Sequence, residues 1–234
     1  MIKFERTSVM NMDNAIRGAR NPMNSWGKAD SFSCKECIKR SIKEDECPIE
    51  LSGKNIDNHY HDGCYIIGPN DMDLLKKLRK AGPDHRKFMR QIFVSVDITA
   101  PLYFYKEFDT YKVATVANST STMHKIHSKP FSMDDFSTDH MTEQTKEFME
   151  IVVDRLEAIR QKYMLRGKHK EDWYDMIQLL PSSYNQLRTV TMNYETLVNM
   201  YHARKHHKLQ EWHELCAWIE SLPYAKELIV CEEE

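Results

Sequence analysis

The sequence predicts a single globular domain, residues 1–234, that mixes helices with a few strands and carries a Cys-rich insertion at 31–70. Three observations predict it. Gln91 to Phe104 is rich in Ile, Val, Phe and Tyr, the composition of strands. Apolar residues recur at helical spacing from Met72 to Leu78, from Phe148 to Ile159 and from Met192 to Ala203. A chain of 234 residues is also long enough to bury one substantial core. Only seven glycines occur, and neither GxGxxG nor GxxxxGKS/T is present, which argues against a Rossmann or P-loop phosphate cradle.

Taken in order, Ile2, Phe4 and Val9 predict a short strand over the first ten residues. Asp13 is the expected cap of a helix bearing Ala15, Ile16 and Ala19. Arg17 and Arg20 share one side of it, as a solvated basic face or as part of a site. Ser31 to Asn70 reads as an insertion. Two thiolates two residues apart can chelate one ion, so Cys34 and Cys37, completed from Cys47, Cys64 and His61, form a candidate zinc site; unligated thiols are the other reading. Met72 to Ala81 predicts a helix with Met72, Leu74, Leu75 and Leu78 on one stripe and Lys76, Lys77, Arg79 and Lys80 on the other, solvated face, stopped by Gly82-Pro83. Gln91 to Phe104 predicts one strand, or two separated at Ala100-Pro101. Asn118 to His127 is polar and aperiodic: a solvated loop, or a phosphate site built on hydroxyls, an amide, His124, Lys125 and His127. Asp134 to Leu165 predicts a helix whose apolar stripe is Phe148, Val152, Leu156 and Ile159.

Bulk composition narrows the class. Apolar residues at 41%, charged residues at 29% and a net charge of −2 suit a soluble globule and mark neither a nucleic-acid binder nor a binder of anionic membranes. No apolar run is long enough to span a bilayer, and the first ten residues lack a signal peptide's apolar core, so the expected location is cytoplasmic.

The stretch Leu179 to Glu214 carries the strongest pattern. Met192, Thr196, Leu197, Met200 and Ala203 recur at helical spacing, with Asn193, Asn199, Arg204 and Gln210 on the same run. On one helix Asn193 and Asn199 point about 120° apart, and Arg204 and Gln210 repeat the offset. Such a helix can pack on one stripe and hold a planar heterocycle with its amides and guanidinium; a core helix with a polar flank is the plainer reading. His202 and His206 have the spacing of metal ligands, but no carboxylate completes HExxH, which favours a solvated histidine-rich face. Trp212, Leu215, Cys216 and Ile219 continue the pattern as core.

Leu180-Pro181, Asn193, Leu197, Asn199, Arg204 and Gln210 fall on the positions of the C-terminal motif of the flavin-dependent thymidylate synthases, and the chain resembles that family. The family reads LP, then N-x-R-x-L, then LR and AQ-x-E-I-R; here Glu195 replaces an Arg, Ala203 a Leu and Leu209 an Ala. Upstream, Ala15 to Arg20 resembles the family's AAR segment. His85 precedes Pro101 by sixteen residues, as the second His of the family's HG-H-x-x-P-F-E-H precedes its AP-x-F. Thr110, Tyr111 and Lys112 stand in the place of the family's R-H-R, and Asn118, Ser119 and Ser121 in the place of N, E and S in the signature that follows. Met123 stands where that signature ends in Arg.

The resemblance implies an α+β fold, an antiparallel sheet packed against a helical bundle, and a homotetramer whose nucleotide and flavin sites form between subunits. It implies a divergent enzyme moving a one-carbon unit from methylene-tetrahydrofolate to C5 of dUMP, or of a related pyrimidine nucleotide, through reduced FAD with NADPH as reductant. Arg204 is then the catalytic group, polarising a pyrimidine carbonyl. Arg204, Gln210, Asn118, Ser119 and Ser121 bind the nucleotide, and His85, Lys112, Asn193 and Asn199 bind FAD. Two other readings stand beside it: a non-catalytic nucleotide-binding protein of the same fold, and a zinc-stabilised interaction protein built on the insertion.

Overall fold

The structure, a computed structural model, describes residues 2–33 and 65–231. The candidate zinc ligands Cys34, Cys37, Cys47, Cys64 and His61 lie outside the described residues. Both ends of the insertion are described, and they pair: β2 (Phe32–Ser33) runs antiparallel to β3 (Tyr65–Ile66), with Phe32 opposite Ile66 and Ser33 opposite Tyr65.

The main sheet has four antiparallel strands. These are β1 (Lys3–Met10), β4 (Phe93–Pro101), β5 (Val116–Ser119) and β6 (Asn185–Asn193), in the order β1-β4-β6-β5. Side-chain bonds fix the register of the central pair: Thr189 Oγ1 donates to Asp97 Oδ1 at 2.5 Å, and Thr191 Oγ1 to Ser95 Oγ at 3.1 Å. Val94, Val96, Ile98 and Ala100 alternate on the buried side of β4, as period-two patterning requires.

The chain groups into two compact units, with boundaries falling inside all four strands of the main sheet. The first comprises Met1–Glu5, Asp97–Lys112 and Ala117–Val190. It contains α3 (Leu102–Phe108), α4 (Glu143–Leu165) and α5 (Lys170–Leu179). Its core joins Ile126, Phe131 and Phe136 to Met149, Val153, Leu156 and Tyr163 of α4 and Met176 of α5. Two expectations are corrected in this unit. The chain after Ala100-Pro101 is helix rather than a second strand: Pro101 is extended and ends β4, and the helical turn that follows buries Phe104, Tyr105 and Phe108 together. The buried stripe of α4 is Met149, Val153, Leu156, Ile159 and Tyr163, while Phe148 is 65% exposed. Two apolar stripes of helical period overlap in this sequence, and periodicity alone does not say which one the core takes.

The second unit comprises Arg6–Val96, Val113–Val116 and Thr191–Glu234. Its helices are α1 (Met12–Ala19), α2 (Pro69–Lys80), α6 (Tyr194–Arg204) and α7 (Gln210–Glu220), followed by a π-helical turn at Lys226–Val230. The cap position of α1 is Asn11, left-handed at φ 66°, with Asp13 in the first turn. Arg17 is exposed, but Arg20 is buried and forms an ion pair with Asp71 at the start of α2. The expected basic face is therefore split. Arg79, expected on a solvated face, is also buried: its Nε donates to Leu228 O at 2.8 Å and its Nη2 to Ile229 O at 3.1 Å, which ties the π-helical turn to α2. Each guanidinium is long enough to reach partners that no local pattern reveals.

Asp71 is the anchor of the insertion's stem. One of its carboxylate oxygens takes the Arg20 Nε; the other accepts from Asp30 N at 3.1 Å, Ser31 N at 2.9 Å and Ser31 Oγ at 2.6 Å. Burial alone would raise the Asp71 carboxyl, but the bonds from Ser31, Arg20 and the two backbone amides outweigh it and hold the group below the usual carboxylate range. A folded-state pKa below the unfolded value of about 3.9 gives stabilisation that is full above that pH and lost as pH falls through it. Asp71→Asn, measured by urea denaturation at pH 7, is expected to cost on the order of 3 kcal/mol, the penalty for leaving one member of a buried ion pair alone. The gap between wild type and Asp71→Asn should narrow as pH falls below about 4.

Candidate functional site

The predicted site residues fall in both units. His85, Asn193, Asn199, Arg204 and Gln210 lie in the second, and Lys112, Asn118, Ser119 and Ser121 in the first.

In the second unit the expected continuous helix is instead strand, helix, turn and helix. Strand β6 runs to Asn193, and α6 starts at Tyr194. Asn193 is 4% exposed and caps α6: its Oδ1 accepts from Thr196 N at 2.9 Å, and its Nδ2 donates to Arg90 O at 3.2 Å. The Tyr194 amide then donates to Ile92 O at 3.0 Å, holding the junction to the segment that enters β4. Asn199 is exposed on α6. Glu195, which stands in place of a family Arg, pairs with the buried Arg86 at 3.0 Å.

Arg204 ends α6. Its guanidinium carbon lies 4.8 Å from the centre of the Trp212 ring, and Trp212 is fully buried in α7. A cation over the face of a buried indole is attracted by the ring's negative face, which favours this placement of the Arg204 side chain. The intervening residues 205–209 turn the chain: His207 N donates to Arg204 O at 2.9 Å, and Leu209 N donates to His207 Nδ1 at 3.1 Å. Leu209 is extended, and Gln210 opens α7 with an exposed side chain. Arg204 and Gln210 therefore bracket a turn rather than sharing one helix. His202 is half-buried rather than solvated, its Nε2 3.0 Å from Ile229 O. Among the described residues no cluster of three or more His, Cys, Asp or Glu side chains is placed to hold a metal. His85 lies exposed in the turn after α2.

In the first unit Thr110, Tyr111 and Lys112 wind off the end of α3; Thr110 Oγ1 donates to Glu107 O at 2.7 Å and Lys112 is exposed. Asn118 and Ser119 are exposed on β5, so this part of the expected loop is strand. Ser121 lies in a turn and lines a cavity of about 910 Å³ together with Thr120, Lys125, Lys129, Tyr184 and Asn185. The Ser121 Oγ accepts from His124 N at 2.8 Å and Met123 N at 3.3 Å, so what it can offer a ligand is its O–H. Lys129 pairs with Asp135, and the bond from that carboxylate raises its pKa, keeping the ammonium charged. Burial raises the Tyr184 phenol, keeping it neutral. The cavity is also lined by Asp134, Asp135 and Asp139, which offset Lys3, Lys125 and Lys129, so its wall offers hydroxyls, an amide and both signs of charge to a polar ligand. Sequence reading passed over Lys129, Tyr184 and Asn185, which are remote from Ser121 in the chain and carry no motif. It also passed over Arg188 of β6, whose guanidinium sits 3.7 Å from the centre of the Tyr105 ring and pairs with Asp109 at 2.7 Å. Strand alternation of Val190 and Met192 was the signal available for placing it.

Cys216 and Cys231 are the cysteines among the described residues, and the Cys231 thiol donates to Glu227 O at 2.9 Å. Cys216 is buried, and burial pushes its thiol up to about 11, so at neutral pH it is a thiol rather than a thiolate. A flavin dinucleotide fits the second unit's donors only in part. The Asn193 oxygen is spent on the cap; His85 and Asn199 are exposed and remain able to donate.

No protein family's sequence profile matches the chain, and no curated protein's sequence does. Solved structures do match, over nearly the whole length. Thymidylate synthase X from Helicobacter pylori, crystallised with FAD and dUMP, superposes with a TM-score of 0.62 at 14% identity, covering 97% of this chain and 96% of that one. This is the flavin-dependent thymidylate synthase fold. A second structure of the H. pylori flavin-dependent thymidylate synthase, complexed with FAD and dUMP, gives 0.60 at 16% identity over 97% of each chain. PolB from Streptomyces cacaoi, a UMP/dUMP methylase bound with 5-Br dUMP, gives 0.58 at 12% identity, covering 98% and 95%. At such identities the likeness to flavin-dependent thymidylate synthases is one of fold.

Asn193→Ala is expected to lower stability by about 1–2 kcal/mol in chemical denaturation, the cost of a lost helix cap with a buried backbone partner. Asn193→Asp retains an acceptor for the Thr196 amide and should recover part of that loss.

Proposed function

We propose that this chain is a divergent enzyme of the flavin-dependent thymidylate synthase type that binds dUMP or a related pyrimidine nucleotide and directs a one-carbon unit to its C5. The observation that carries the proposal is Arg204 held against the face of Trp212. A guanidinium lying over a buried indole can present a planar fork of donors to a pyrimidine carbonyl. In the reaction it would stabilise the negative charge that develops on the ring oxygen, a role worth about 3 kcal/mol for a single donor in comparable sites. Gln210, at the other end of the same turn, is the second group proposed to read the nucleotide. FAD, when bound, supplies the reducing chemistry; His85 and Asn199 are the residues of the second unit proposed to touch it, with NADPH and methylene-tetrahydrofolate as co-substrates. The proposed assembly is a homotetramer.

A second reading, a non-catalytic nucleotide-binding protein of the same fold, is favoured by two facts. The Asn193 oxygen is committed to the helix cap, and Lys112 is the one cation at Thr110–Lys112, where the family has R-H-R. The spectrum of protein purified without added cofactor separates the two: a flavin absorbance band supports the enzyme, and colourless protein that binds dUMP supports the second reading.

Arg204→Lys keeps the charge but loses the planar fork. At a bidentate contact it should weaken dUMP binding by roughly tenfold to a hundredfold, about 1.5–3 kcal/mol, in calorimetric titration with and without FAD. Equal affinity of wild type and mutant would place the nucleotide elsewhere.

A further inference from the structure

Residues 205–209 join Arg204 to Gln210, the two groups proposed to read the nucleotide, so the bonds that fix this turn also fix their spacing. His207 is bonded within the turn at three points. Its backbone N–H donates to Arg204 O at 2.9 Å, which ties it back to the end of α6. Its carbonyl accepts from His213 Nε2 at 2.6 Å, which ties it forward to α7. Its ring nitrogen Nδ1 accepts from Leu209 N at 3.1 Å.

The ring packs edgewise on Trp212, with centroids 6.0 Å apart and planes at 62°. The same indole carries the Arg204 guanidinium carbon, 4.8 Å from its centre, and the Trp212 amide donates to Leu209 O at 3.2 Å. Leu209 is extended and half-buried, and its amide is held by the His207 ring rather than by a helix. A nitrogen that accepts carries no proton, so the neutral His207 ring bears its hydrogen on Nε2. Lys205 and Lys208, on the same turn, have only donors and could not take over this bond.

We propose that His207 is a positioning residue of the nucleotide site. Through Nδ1 it holds the Leu209 amide, and so sets where Gln210, the first residue of α7, stands relative to Arg204. It acts through the turn and not by touching the ligand. This role rests on the nucleotide reading, because only a ligand that meets both Arg204 and Gln210 feels their spacing. Without the bond the Leu209 amide turns to water, and the entry into α7 is no longer tied to the end of α6 by that ring.

Two variants separate the ring from its acceptor. An Asn side-chain oxygen accepts from the amide two residues on, as in an Asx-turn, so His207→Asn can replace Nδ1. His207→Phe keeps a ring against Trp212 but offers no acceptor. In backbone hydrogen exchange the Leu209 amide is expected to be protected in wild type and in His207→Asn, and to exchange faster in His207→Phe. In calorimetric titration His207→Phe should weaken dUMP binding by about three- to tenfold, the loss that follows from one hydrogen bond, and His207→Asn should recover most of it. A Leu209 amide that exchanges alike in wild type and His207→Phe would overturn the inference. So would dUMP binding that Arg204→Lys weakens and His207→Phe does not, or a His207→Asn variant that binds no better than His207→Phe; each of these leaves the nucleotide reading standing. Wild type that binds no dUMP would overturn both.

Discussion

One buried amide governs the junction on which the proposed nucleotide site is built. Asn193 ends a strand and begins a helix in the same residue, and its side chain serves the helix. An amide oxygen has two lone pairs, and at 4% exposure no water replaces a lost partner. The cap therefore decides where β6 stops, the start of α6 decides where α6 ends, and that end places Arg204 over Trp212. The same commitment removes the Asn193 oxygen from the set of groups able to meet a flavin. A residue can match a family's motif and still be fully occupied by the fold that the motif belongs to.

Substitutions elsewhere in the motif follow a similar logic. Glu195 is partnered by the buried Arg86, so its charge is met within the fold. Thr110 folds its hydroxyl back onto Glu107 O and becomes part of a helix ending rather than a ligand contact. What the chain keeps is a stacked guanidinium at the α6–α7 turn and, in the first unit, a cavity edged with hydroxyls and ammonium groups. A guanidinium suits a planar ligand with carbonyl or acidic oxygens, and a cavity lined by carboxylates as well as ammonium groups suits a polar one.

Burial of charge is the other recurrent theme. Arg20, Arg79 and Arg86 are buried, each with its own acceptors. Each therefore costs little while paired and much if the partner is removed, which makes these contacts switches between a formed and an unformed local structure rather than additive gains in stability. The Asp71 cluster does this for the stem of the insertion, where two short strands would be too small to persist on their own.

The sequence by itself determined the mixed fold class, a helix near 72–81 and one within 134–165, though not its start at Glu143, the strand after Gln91 and the core role of Trp212, Leu215, Cys216 and Ile219. These follow from periodicity, which reports how a segment meets its own surroundings. The order and spacing of Leu180-Pro181, Asn199, Arg204 and Gln210 also made the family's fold legible. Tertiary structure alone decided the rest. Which of two overlapping stripes on α4 turns inward depends on what lies beneath it. Whether Asn193 is ligand or cap depends on Thr196 and on Arg90 O, the latter distant in the chain. That Arg20 and Arg79 are buried while Arg17 is exposed depends on partners fifty or more residues away. Local pattern records polarity and period, but a long polar side chain finds its partner through space, and only the folded chain says which partner is within reach.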